Sequence, residues 1–225
     1  DRASTAVGRI DPIRRRENWL ICAHRSTDRE SLFTAVETDN THQIAKLLKR
    51  GIDVDARDEN DYTALLLAAE TGATASVGTL IKAGADYDAR DSFGRSAVYA
   101  AAVGGKDAAV EKLLAAGASP TNADRDGRGP FWAACATRDT KIAARLLQAG
   151  ADVDEQDNNG VTALRYAVAH GNADVAEFLR AHGAAEVDGG RLSYSPAAAG
   201  EEVPETFTNP SPRSAGEESA GAASL

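Results

Sequence analysis

The sequence predicts an all-α solenoid of stacked helix-turn-helix units joined by short β-turn or hairpin loops. Three observations predict it. Gly51, Gly84, Gly117, Gly150 and Gly183 follow one another at a constant step of 33 residues. Asp58, Asp91, Asp124 and Asp157 keep the same step, and so do Ala35, Ala68, Ala101, Ala134 and Ala167. Three series in one register, without a slip, mark a repeat architecture rather than a compositional accident.

The series divide residues 25–189 into five units: 25–57, 58–90, 91–123, 124–156 and 157–189. The second unit shows how each is built. Asp58-Glu59-Asn60-Asp61 is a polar turn, and Thr63 is a candidate N-cap. Ala64–Glu70 reads as a short helix with Leu65, Ala68 and Ala69 inward, broken at Thr71-Gly72. Ala75–Ala83 reads as a second helix carrying Val77, Leu80 and Ile81, stopped at Gly84, where a left-handed residue is cheap. Helices this short are marginal alone. Each has to bury its apolar stripe on its neighbours, which is why the unit recurs.

Composition agrees. Of 225 residues 43% are hydrophobic but only 5% aromatic, so the core is made of Ala, Leu, Val and Ile. The net charge of -9 opposes general attraction to nucleic acid or anionic lipid, and favours solubility or a partner with basic patches. No apolar run reaches the ~20 residues that span a bilayer. Two cysteines, Cys22 and Cys135, are too few for a disulfide framework and point to a reducing compartment.

The pattern resembles the ankyrin repeat over about 165 of the 225 residues. Asp157-Asn158-Asn159-Gly160-Val161-Thr162-Ala163-Leu164-Arg165 and Asp91-Ser92-Phe93-Gly94-Arg95-Ser96-Ala97-Val98-Tyr99 carry the likeness, with Gly127, Pro130 and Phe131-Trp132 in unit four. The family's Thr-Pro-Leu-His segment is nowhere complete: Phe33, Leu66, Tyr99, Trp132 and Arg165 stand where it has His. Packing of larger side chains is expected to replace the missing Thr–His hydrogen bonds.

At the N-terminus, 1–24 is expected to be an extension with a capping helix at 12–24, started by Asp11-Pro12. Its Arg14-Arg15-Arg16 run reads either as a solvated helix face or as a contact for an acidic partner. Residues 190–225, rich in Pro, Ser, Ala and Glu, are expected to be an extended tail.

No cofactor, metal or catalytic set emerges. The four His form no ligand pair with Cys or with each other. Cys135 sits at the core position of Ala69 and Ala102, as a buried thiol would. The Asp-rich turns are explained as turn and cap residues.

The resemblance implies a concave binding face of loop tips and first helices. Glu59, Tyr62, Phe93, Arg95, Arg125 and Arg128 occupy tip positions free of core duty, and aromatics beside arginines are typical interface anchors. Trp132 either extends this stripe or packs against the next unit. The expected function is therefore a non-catalytic scaffold, monomeric by itself, binding one or more proteins. The alternative is a structural or assembly subunit of a large complex, held through the N-terminal helix and the tail. The chain contains no Met. The cytoplasm is the expected compartment, with a plastid or mitochondrion after presequence removal as the alternative.

Overall fold

The computed structural model describes residues 28–185. The expected capping helix at 12–24, its arginine run and the tail at 190–225 lie outside the described residues. Within them are ten helices: α1 (28–37), α2 (Thr41–Lys49), α3 (Ala64–Thr71), α4 (Thr74–Lys82), α5 (Ala97–Val103), α6 (Asp107–Ala115), α7 (Pro130–Ala136), α8 (Thr140–Gln148), α9 (Ala163–Ala169) and α10 (Ala173–Ala181). They fall into antiparallel pairs. First helices pack on first helices, α3 on α5 on α7 on α9, and second helices on second helices, α2 on α4 on α6 on α8.

Small residues make the close approach of the first helices feasible. Every alanine of the Ala35 series is at most 4% exposed. Between the alanines lie the large core side chains Leu32, Phe33, Leu65, Leu66, Phe131 and Trp132. Second helices contribute Ile44, Leu47, Val77, Leu80, Val110, Leu113, Ile142, Leu146, Val175 and Leu179.

Local chemistry sets each boundary. Thr63, Ser96 and Thr162 cap α3, α5 and α9, their hydroxyls accepting the amides of Leu66, Tyr99 and Arg165. This hydroxyl cap survives the loss of the family's histidine. Gly129 starts α7 without a side-chain cap, and Pro130 at the first helical position removes one donor that would need a partner. The predicted helix 64–70 extends one residue further, to Thr71, and the predicted 75–83 is shifted one residue toward the N-terminus. In that second helix Ala73 stands at the N-cap without a capping side chain, so Thr74 already has helical geometry. The Gly84 residue takes φ +89°, and the amide of Ala85 returns to the Leu80 carbonyl, which closes the helix end.

The Asp58 series builds the tips. In each tip one aspartate oxygen accepts two backbone amides, two and four residues ahead: Asn60 and Tyr62, Phe93 and Arg95, Asp126 and Arg128, Asn159 and Val161, at 2.8–3.0 Å. The aspartate's own amide donates to the carbonyl at the far end, as Asp91 does to Arg95 at 3.1 Å. The chain therefore turns within five residues. The side chains at the turn's second and third positions are mostly left to project from the stack, whereas those at the fifth are half-buried.

Candidate protein-binding surface

The seven candidate residues divide by burial. Glu59, Phe93 and Arg125 are exposed, whereas Tyr62, Arg95 and Arg128 are half-buried. Phe93, at 59% exposure, and Val168 are the exposed large hydrophobic side chains among the described residues.

Trp132 corrects one of the two expectations held for it. It is 1% exposed, so it does not extend the accessible stripe. Its ring lies 4.7 Å from that of Tyr166 in the next unit, and the Arg128 guanidinium sits 4.8 Å from its centroid. A side chain of this size at a first-helix position facing the next unit is enclosed when that unit stacks.

Around Phe93 the arrangement is tight. Arg95 Nε donates to Asp91 Oδ2 at 2.7 Å, and its Nη2 donates to the Tyr62 hydroxyl at 3.1 Å. The same guanidinium lies 4.9 Å from the Phe93 centroid and 5.8 Å from that of Tyr62. Arg95 is thus a brace rather than a free cation: it ties the tips of units two and three and supports one face of the Phe93 ring. Glu70 completes the cluster through a hydrogen bond with Tyr62, and burial raises the pKa of both groups.

Backbone bonds join the following tips. Arg125 N–H donates to the Phe93 carbonyl at 3.0 Å, and Asn158 N–H donates to the Asp126 carbonyl at 2.8 Å. Asn158 Nδ2 also donates to the Arg125 carbonyl at 2.8 Å. The Tyr99 hydroxyl donates to Asp124 Oδ2 at 3.0 Å, from the position where the family has His. Arg128 reaches Asp126 at 3.3 Å and Asp157 at 3.9 Å. Phe93 and Arg125 are therefore displayed on a braced frame.

The chain that folds into these five stacked helix pairs with Asp-closed tips matches the family model described as Ankyrin repeats (3 copies) over residues 18–91 and 97–188. The chain belongs to the ankyrin-repeat family. Ankyrin repeats generally mediate protein–protein interaction and are typically non-catalytic modules. No curated protein matches the chain. Among the described residues, no helix is long and apolar enough to cross a membrane.

One set of residues in this ankyrin stack escaped the sequence reading. Arg57 Nη1 donates to the Arg90 carbonyl at 2.6 Å, and Arg90 Nη1 donates to the Ala123 carbonyl at 2.6 Å. Each guanidinium thus reaches one unit ahead. The 33-residue step from Arg57 to Arg90 was available as a signal, but it stops after two members, at Ala123. Cys135 is 2% exposed, and burial, with the Glu155 charge adding, pushes its thiol up to about 12. It is a packed and unreactive group at neutral pH.

Proposed function

We propose that the chain is a protein-binding scaffold whose contact surface is the row of tips across units two to four. The observation that carries this reading is Phe93. A large apolar ring is held 59% exposed at a tip, over a guanidinium that is itself fixed by Asp91 and Tyr62. An exposed aromatic on a rigid support offers contact area at little conformational cost, the usual property of an interface anchor. Glu59 and Arg125 supply charge on either side for orientation.

The test is site-specific photocrosslinking in native extract. A photoreactive phenylalanine at position 93 should give discrete protein adducts, while the same group at Lys82, exposed at the end of α4, should not. Equal adducts from both positions, or none from position 93, would remove the tip row as the contact surface.

A further inference from the structure

The scaffold reading leaves the partner's chemistry open, and resting on that reading the geometry points to an acidic partner: a segment of another protein that places an apolar side chain on Phe93 and carboxylates beside it. The chain's net charge of -9 favours the opposite partner, so any preference for acid is set locally at this tip.

Gly94 is the centre of the local cluster. Its φ of +81° turns the chain at the tip. A Cβ built there would stand 3.3 Å from Arg125 Cγ and 3.1 Å from Arg125 N, so the Arg125 stem lies along Gly94 immediately after Phe93. On the same residue, the Gly94 carbonyl accepts from Arg90 Nη1 at 3.5 Å. Arg90 and Arg125 therefore flank the Phe93-Gly94 segment, while Arg95 supports the ring.

Among the nearby carboxylates Asp91 pairs with Arg95 and Asp126 with Arg128, while Asp124 accepts from the Tyr99 hydroxyl and from two backbone amides and keeps its charge. Arg90 spends its donors on the neutral acceptors Gly94, Ala123 and Asn122. Arg90 and Arg125 are both exposed, and neither forms an ion pair among the described residues. The Arg125 guanidinium, without an ion-pair partner among the described residues and beside the exposed ring, selects for a carboxylate-bearing ligand, because Arg pairs with carboxylate in a bidentate fashion and a basic ligand would meet like charge.

The experiment is selection of a random displayed-peptide library on the immobilised full chain, followed by fluorescence anisotropy of the enriched peptides. Enriched sequences should carry Asp or Glu next to Leu, Ile or Phe. Their affinity should fall about tenfold or more for Arg125→Glu and for Phe93→Ser, and should drop with added salt. Arg125 is exposed and makes no side-chain hydrogen bond or ion pair among the described residues, so helical circular dichroism should be unchanged in that variant. Arg125→Lys serves as a second variant that keeps the charge while losing the forked geometry, and a threefold or larger weakening is expected. Enrichment of basic or uncharged peptides that still need Phe93 would overturn the acidic partner while leaving the scaffold reading intact. Failure to enrich any peptide whose binding depends on Phe93 would overturn both.

Discussion

The Glu155 carboxylate accepts the backbone N–H of Gly129 at 2.5 Å, bringing the closing loop of unit four back onto the start of α7. Burial raises the Glu155 pKa to about 7, against the lowering effect of the Gly129 bond and with Asp152 and Asp124 adding to the rise. An acid whose pKa is higher folded than unfolded contributes most below the unfolded value of 4.5 and loses that contribution as pH climbs through about 7. Glu155→Gln should therefore be more stable than the parent at pH 8, by on the order of 1 kcal/mol once partial exposure is discounted. The gap should close by pH 5. Urea melts across that range check it, and a gap that stays constant with pH would remove the assignment.

Trp132→Ala should cost about 3–5 kcal/mol, the usual range for truncating a large buried aromatic. The loss of contact with Tyr166 means that units four and five should separate first. Hydrogen exchange resolved along the chain would show the earliest loss of protection in α9 and α10.

Phe93→Ala together with Arg125→Ala should reduce capture of the photocrosslinked partner severalfold. The urea midpoint should shift by no more than about 0.5 kcal/mol equivalent, since exposed tip side chains contribute little to folding. A large loss of stability in this double variant would show that the tip residues serve the fold rather than a partner.

Gly127→Ala and Gly84→Ala separate two costs of replacing a glycine. Both residues have positive φ, +80° and +89°. At Gly84 a Cβ meets nothing within 4 Å, so only backbone strain of about 1 kcal/mol is expected. At Gly127 the Cβ would stand 2.4 Å from Asn158 Oδ1 and 2.8 Å from the Asn158 amide nitrogen. The tip of unit five must then shift, and a loss of about 2–3 kcal/mol is expected. Paired denaturant titrations decide whether the difference exists.

The fold was legible because each repeat position answers to one local requirement. Asp91 recurs at Asp124 and Asp157 because one carboxylate oxygen has to satisfy two amides of a five-residue turn. Ala101 recurs because adjacent first helices leave no room for more. The candidate surface was legible only in part. Tip position identified Phe93 and Arg125 as accessible, but it put Arg95 in the same class, although Arg95 is committed to Asp91 and Tyr62. Position in a repeat reports where a backbone goes, whereas the partner of a long side chain depends on the neighbouring unit.

The sequence by itself determined the 33-residue periodicity, the pairing of short helices, the cap at Thr63 and the left-handed stop at Gly84. These depend on interactions spanning a few residues, so local spacing encodes them. Only the tertiary structure decided that Trp132 is enclosed, that Glu155 reaches Gly129, and that Arg90 and Arg125 converge on Gly94. The contacts of Trp132 with Tyr166 and of Arg125 with Gly94 join neighbouring units, and that of Glu155 with Gly129 joins the two ends of unit four. A repeat pattern specifies that these surfaces meet without specifying which side chains make the contact.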